Sequence, residues 1–403
     1  MEINFDELKE NVTLERSIFR RDGTLLINKG TKLTENMIER LRKLGNSIKF
    51  EGDEEQTEPP KAPDGIPDAK QTVDEALATD TEEQLSEFIN HPTEIQVQKI
   101  KDNVNKIVDK TLEVEEPQFD LDMYSQHENE SMAHAVRVAC FSILLARLYN
   151  STVNSSDKTQ QIDLRDIAVA AVLQDVGVAY KDSEKIKEVR DIIKESGMEP
   201  LFPGIADTPF TYYDEDYAGV YSYCAIANMD NVSKAAKLMV LLSKEPDVEM
   251  GTLKVPPFIK EKRNSVIYGS KIINVCNIYD NAMKQAIDKK HSLEEVIAQI
   301  GHYALNGIIN PEIKELLINR VKLYPYKTRV ILSNGRLATV EESRVGQYDS
   351  YKPVVRLRPY AGKLIDLAEV QNITIKSVVC KDEFNRLMQQ QIEEMKNPNH
   401  SGR

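Results

Sequence analysis

Residues 164–177 read LRDIAVAAVLQDVG. The run from Ile167 to Leu173 contains no polar side chain, so a helix built from it is apolar on nearly every side. Such a helix is stable only where neighbouring elements cover all of its faces. We therefore predict a central core helix from Leu164 to Val176.

The sequence on both sides of this core helix is also helical in pattern. Apolar residues recur at helical spacing, as do Val136, Cys140 and Ile143. The other predicted helices lie in 73–113, Met132–Tyr149, Val232–Leu242, Ser265–Ala286, Ser292–Tyr303 and Glu312–Leu323. The predicted fold is mainly α: a helical bundle over 116–322 that is reached through connecting helices in 73–115.

Two small modules and a linker flank these helices. Residues 1–50 contain short strand-like runs and a helix that Thr34 can cap, which predicts a small N-terminal α/β module. Residues 51–72 mix four prolines with acidic residues, a composition typical of an extended linker. Residues 323–380 carry strand-like runs and an Asn-Gly turn, which predict a small β module. Residues 381–403 are predicted to form a polar tail helix.

Composition limits the classes of partner. The chain has 403 residues and a formal net charge of −13, which disfavours nonspecific binding to DNA or RNA. We see no run of about 18 apolar residues, and the acidic start Met1–Glu7 does not resemble a secretory signal, so we expect neither a membrane span nor export. The four cysteines are far apart in largely apolar segments, and we interpret them as buried thiols of a cytoplasmic protein.

Three separated motifs and both flanking modules resemble the bacterial HD-GYP family. His134 lies where that family has a histidine opening its first core helix, and Ala170–Val178 is similar to the family's apolar run ending in His-Asp-Ile-Gly-Lys. Val275–Ala282 is similar to the later Val-x-Asp-x-Tyr-Asp-Ala helix. The resemblance implies an HD-type helical bundle and a metal-dependent phosphodiesterase that opens cyclic diguanylate.

Several positions depart from the residues that the family uses. Gln174 and Asp175 stand where the family has its paired histidine and aspartate, and Asn277 stands where it has its last metal aspartate. A neutral carboxamide is a poor ligand for iron, manganese or zinc. The family's His-His-Glu and Gly-Tyr-Pro signatures fall near Glu245 and Gly251, and Lys244 just before them would repel a cation.

The histidine content gives the same indication without an alignment. The chain has six histidines, and none lies between Ala135 and Lys290. A multi-metal cluster of the family draws several imidazoles from this interval. We therefore expect no catalytic residues, no metal and no cofactor in this chain.

The surviving polar residues allow two interpretations. His134 is either a residual metal ligand or a hydrogen-bonded core residue, and we favour the core residue. Asp280 is similarly expected to hold a buried hydrogen bond. Asp175, Glu245 and Asp280 together remain a candidate all-oxygen site for a divalent metal.

Two further groups are candidate ligand contacts. A basic cluster in this acidic chain suits phosphate binding, although such a cluster is more often a solvated face. It consists of Lys254, Lys260, Lys262 and Arg263. The aromatic stretch Phe210–Tyr213, with Tyr217, Tyr221 and Tyr223, can stack on a purine, but we favour core or lid packing for it.

These observations lead to two hypotheses of function. The first is a catalytically inactive, HD-GYP-like signalling or regulatory protein whose candidate partners are a cyclic dinucleotide, another protein or a second copy of itself. The alternative is an active cyclic diguanylate phosphodiesterase that uses the carboxylate-rich metal site.

Overall fold

The protein is described from a computed structural model. The structure describes residues 12–14, 18–20, 25–27, 30–35, 37–38, 48–50, 75–113, 121–124, 129–153, 160–180, 184–198, 217–244, 263–358, 363–370 and 372–396. The chain divides into two compact units, Met1–Asp68 and Ala69–Arg403. The predicted linker 51–72 lies outside the described residues.

The first unit contains a small antiparallel sheet. Its strands are β1 (Ile18–Arg20), β2 (Leu25–Ile27) and β3 (Ile48–Phe50), in the order β2-β1-β3. At the predicted cap, the Met37 N–H donates to the Thr34 hydroxyl at 3.4 Å. Strands β2 and β3 lie within the runs Thr24–Ile27 and Ser47–Phe50, which the sequence predicts as strands.

The second unit is mainly helical, which confirms the predicted fold class. Its helices are α1 (Glu75–Asn90), α2 (Glu94–Glu113), α3 (Glu130–Thr152), α4 (Leu164–Leu173), α5 (Val189–Glu195), α6 (Ala218–Ile226), α7 (Lys234–Leu242), α8 (Arg263–Asp288), α9 (Glu294–Leu305), α10 (Pro311–Arg320) and α11 (Lys381–Lys396). Short 3₁₀ turns span Leu121–Tyr124, Val176–Tyr180 and Glu184–Glu188.

Helix α4 occupies the centre of the bundle, as its composition predicts. Every residue from Ile167 to Leu173 is buried. Asp163 caps its first turn, since the carboxylate accepts the N–H groups of Arg165 at 2.9 Å and Asp166 at 3.1 Å. Helices α3, α7 and α2 pack around it.

The long helix α3 is the second central element. It is long and apolar enough to cross a membrane, but 78% of its most apolar 18-residue window is buried inside the protein. Its apolar surface is therefore already covered, as it is in a core helix. No other helix in the described part of the chain meets the same criteria.

A five-stranded antiparallel sheet follows the helices. The strands β4 (Arg329–Leu332), β5 (Leu337–Glu342), β6 (Val354–Leu357), β7 (Leu364–Asp366) and β8 (Ile375–Val378) have the order β7-β6-β5-β4-β8. The predicted Asn-Gly turn joins β4 to β5: Gly335 has a φ of 79°, and its N–H donates to the Leu332 carbonyl at 2.9 Å. Helix α11 packs on this sheet through Phe384.

Two features of the fold differ from the sequence-based prediction. The core helix ends at Leu173 rather than Val176. The chain then forms a 3₁₀ turn over Val176–Tyr180. Helices α5 and α6 were not predicted. Nearly all of α6 is buried, so its sequence has no polar face and no helical period to recognise.

Three of the four cysteines are buried and Cys380 is partly exposed. Burial raises the pKa of the thiols of Cys140, Cys224 and Cys276 to about 12. All four thiols are free. The predicted burial is thus correct for three of them and wrong for Cys380.

Candidate functional site

The packing of α3, α4 and α8 brings together four of the residues that the sequence singles out. His134 comes from the start of α3, Asp175 follows α4, and Asn277 and Asp280 lie one turn apart on α8. The His134 ring contacts Asp280 through Nδ1 and Asn277 Oδ1 through Nε2, each at 2.7 Å. Asp175 Oδ2 lies 3.7 Å from His134 Nε2.

The charge of Asp280 is fully enclosed and fully paired. Its side chain is 0% exposed, and it accepts hydrogen bonds from the Tyr124 hydroxyl at 2.7 Å and from Arg137 Nε at 2.9 Å. Burial alone would raise the pKa of this carboxyl, but the hydrogen bond from His134 and the charge of Arg137 lower it below its usual value. Asp280 is therefore a buried carboxylate, and its bond with Tyr124 agrees with the buried hydrogen bond expected from the sequence.

Arg137 is the principal residue that sequence reasoning missed. It is 1% exposed, and besides Asp280 it contacts Glu130 at 2.6 Å and the Met123 carbonyl at 3.2 Å. Its guanidinium also lies 4.6 Å from the centre of the Tyr124 ring. The available signal was an arginine one turn after His134 in an otherwise apolar helix, since a buried arginine needs an acidic partner.

The surroundings of His134 favour its protonated form. Burial alone would lower its pKa, but the hydrogen bond and charge of Asp280 raise the pKa above the usual 6.5. Since both ring nitrogens face oxygen atoms, the doubly protonated imidazolium fits this environment. A protonated ring nitrogen has no lone pair to offer a metal.

Asp175 has a second cation beside it. Lys244 Nζ lies 2.8 Å from Asp175 Oδ1, and the Lys244 side chain is only 21% exposed. The Asn274 amide donates to the carbonyl of Ser243 at 3.1 Å, which ties the turn that carries Lys244 to α8. The carboxylate of Asp175 therefore lies between an ammonium group and the His134 ring.

Gln174 faces away from solvent. Its side chain is 0% exposed, and neither side-chain amide atom has a hydrogen-bond partner among the residues that the structure describes. The main-chain carbonyl of Gln174 accepts a hydrogen bond from the Ser222 hydroxyl at 2.6 Å. The same hydroxyl accepts a hydrogen bond from the Gly177 N–H at 2.9 Å. A Cβ on Gly177 would lie 2.6 Å from the Ser222 nitrogen, so only glycine allows this close contact.

The other predicted site residues have no described side chains. Arg263 begins α8, but its side chain lies outside the described part. Glu245, Gly251, Lys254, Lys260 and Lys262 lie wholly outside it. The predicted phosphate contact and the third carboxylate of the candidate metal site therefore stay predictions.

Two of the tyrosines proposed for purine stacking are core residues, whereas Phe210–Tyr213 lies outside the described part of the chain. Tyr221 is 0% exposed and Tyr223 is 3% exposed, both within α6. Neither ring presents a face to solvent, so the stacking alternative is wrong for these two residues.

A cavity of about 1010 Å³ adjoins His134 and Asp175. Helices α1, α3, α8 and α9 and the end of α4 contribute to its wall. Its volume is at the upper end of the range for small-molecule sites, about 300–1,000 Å³. It is a candidate binding site next to the four clustered residues.

The described side chains of this cluster form a poor set of metal ligands. Within the described ranges there is no group of three or more histidine, cysteine, aspartate or glutamate side chains that could hold a metal ion. Asp280 is enclosed by its donors, Asp175 is paired with Lys244, and Asn277 is neutral. A cation entering here would have to displace an ammonium or a guanidinium group.

No family model, curated protein or solved structure matches this chain. The HD-GYP resemblance therefore remains a prediction from the sequence motifs.

Proposed function

We propose that this chain is a catalytically inactive, HD-GYP-like regulatory protein of the cytoplasm, in which the helical domain binds a partner instead of cleaving a phosphodiester. One observation carries the proposal. The Asp175 carboxylate is held at 2.8 Å by Lys244 and lies 3.7 Å from His134. Protein cations stand where the family resemblance would place a metal ion.

This arrangement opposes metal-dependent hydrolysis for a physical reason. A bound metal activates water for attack on phosphorus only when several ligands hold it with an open position. Here a metal at Asp175 would meet Lys244 at close range, and coordination by His134 would break its contact with Asn277 or with Asp280. The carboxylate-rich alternative would also require Asp280 to leave Arg137, a buried partner.

Elemental analysis of the purified full chain, combined with a hydrolysis assay, tests the proposal. We expect far less than one equivalent of iron, manganese, zinc or magnesium and no turnover of cyclic diguanylate after any of these metals is added. Near-stoichiometric metal with turnover that Asp175→Ala abolishes would instead establish the enzyme. Asp109→Ala is the matched control, since Asp109 forms an exposed pair with Arg165 at 2.9 Å.

Calorimetry without metal tests the nucleotide as partner. If the basic cluster holds the phosphates, Lys262→Ala or Arg263→Ala should weaken the binding of cyclic diguanylate. If no heat is detected at high ligand concentration, the nucleotide is excluded as a partner. A protein partner or a second copy of this chain then remains as the candidate. Light scattering of the full chain measures self-association directly.

A further inference from the structure

The cavity beside His134 is walled mainly by apolar side chains. They come from α1, α3 and α4 and from the turn after α4. The wall includes Leu85, Ile89, Met132, Ala135, Val172 and Val176. An apolar ligand body fits this environment, because transferring it from water into such a cavity is favourable.

The rim of the cavity leaves apolar side chains in solvent. Val178 is 42% exposed and Ile308 is 38% exposed, and both belong to the lining. Exposed apolar groups next to a pocket are typical of a ligand entrance. The cavity is thus accessible from solvent without rearrangement of the core.

One lysine of the cavity lining has no acidic partner among the described residues. Each lining acid already has a cationic partner: Asp175 has Lys244 at 2.8 Å, and Asp288 has Lys284 at 2.6 Å. Glu130 lies 2.6 Å from Arg137 Nη2. Lys289 also lines the cavity, and its ammonium has no ion pair or hydrogen bond among the described residues.

Neutral hydrogen-bond donors lie in a row with this lysine. Asn281, Gln285 and Lys289 are spaced four residues apart at the C-terminal end of α8 and its immediate continuation, and all three line the cavity. The side chains of Asn281 and Gln285 make no hydrogen bond within the described part of the protein. These three side chains are exposed, and a carboxylate at the Lys289 end of the row can accept from Gln285 and Lys289, whereas a cationic group there would be repelled by the ammonium.

We propose that this cavity binds an anionic amphiphile, a ligand with an apolar body and one carboxylate, such as a medium-chain fatty acid. The proposal rests on the proposed function, because it supplies a ligand for a helical domain that binds instead of cleaving. The apolar body occupies the cavity, and the carboxylate contacts Lys289 and Gln285. Val178 and Ile308 flank the entrance.

A fluorescence titration of the full chain with 11-(dansylamino)undecanoic acid tests this. We expect saturable binding at one site per chain, displaced by dodecanoate below its micellar concentration. Dodecyltrimethylammonium should require at least about a tenfold higher concentration, because its charge is opposite. Absence of saturable binding, or equal displacement by both competitors, would overturn the proposal.

Substitutions at the entrance locate the site. Val178→Trp should weaken probe binding about tenfold or more, since the larger ring obstructs the entrance. Val345→Trp is the matched control, because Val345 is 39% exposed and is not part of the lining. If Val178→Trp does not fold, as circular dichroism would show, Ile308→Trp replaces it. Unchanged binding in the folded entrance variant would contradict the assignment.

A charge reversal tests the proposed carboxylate contact. Lys289→Glu should weaken dodecanoate severalfold and leave dodecan-1-ol unaffected, whereas Lys271→Glu on the same helix should change neither. Equal loss for the acid and the alcohol would contradict the contact.

Metal content and hydrolysis measured on the same preparation separate the two proposals. If the protein is free of metal, inactive and unable to bind the probe, only the proposal of an anionic amphiphile as ligand is overturned. Metal-loaded, active protein overturns the proposed function.

Discussion

Asp280 carries a negative charge inside a helical core, where an isolated carboxylate would cost several kcal/mol in solvation free energy. Arg137 removes this cost through hydrogen bonds at 2.9 and 3.0 Å, while Tyr124 and His134 occupy the remaining acceptor positions. The four side chains come from three segments of the chain. At the scale of single residues, this network holds α3 to α8.

Arg137→Leu should therefore be strongly destabilising. It leaves Asp280 buried without its main counter-charge, and we expect a loss of about 3–5 kcal/mol in the free energy of unfolding. Arg165→Leu is the control, since its pair with Asp109 is more than half exposed and should contribute less than about 1 kcal/mol. Urea denaturation measures both, and similar losses for the two variants would contradict the assigned role of the network.

The raised pKa of His134 predicts a pH dependence of stability. The folded state holds the proton more tightly than the unfolded chain, in which the pKa is near 6.5. The stabilisation is therefore fully present below pH 6.5 and is lost as the pH rises through the folded-state pKa. Denaturation from pH 6 to 9 should show this loss in the wild type and a flatter profile in His134→Gln. Identical profiles would contradict it.

At the scale of elements, the end of α4 is determined by its contact with α6. The Ser222 hydroxyl satisfies both the Gln174 carbonyl and the Gly177 N–H, two backbone groups that the end of the helix would otherwise leave unpaired. This contact needs Gly177 close to the α6 backbone. The buried tyrosines of α6 belong to the same packed surface.

Gly177→Ala tests this packing. The added methyl group would lie 2.6 Å from the Ser222 nitrogen, and the resulting overpacking should cost about 1–3 kcal/mol. Gly301→Ala in α9 is the control: nothing lies within 4 Å of its added Cβ, so helix propensity makes that change neutral or stabilising. Thermal unfolding compares the two, and a harmless Gly177→Ala would contradict the close contact.

At the scale of the whole molecule, the large hydrophobic core belongs to the second unit. Its buried cluster extends from Ala78 to Val378 and includes residues from both the helices and the C-terminal sheet. The division between the units falls at Asp68. The second unit therefore contains the clustered polar residues, the cavity and the core that supports them.

A fragment of residues 69–403 should accordingly fold by itself. We expect its helix content to be retained and its main calorimetric transition to stay within about 2 °C of that of the full chain, because none of the cluster is removed. Loss of the cooperative transition would contradict the assignment of the core to this unit.

The sequence by itself determined the elements that depend on local pattern. The apolar run Ile167–Leu173 can be buried only as a central helix, and the Asn334-Gly335 turn provides the positive φ that joins β4 to β5. Sequence pattern failed for α6, where burial on all sides leaves no period. It also placed the end of α4 three residues too late, because a contact with α6 decides that end.

Only the tertiary structure decided the contacts of the candidate site. His134 lies 146 positions from Asp280, and Arg137 lies 143 positions from it, so the packing of α3 on α8 is needed to bring them together. The sequence indicated that the histidines of the resembled family are missing. It did not indicate that Lys244 approaches Asp175 or that a cavity opens beside them. Such contacts depend on how helices pack, and local spacing along the chain does not encode that packing.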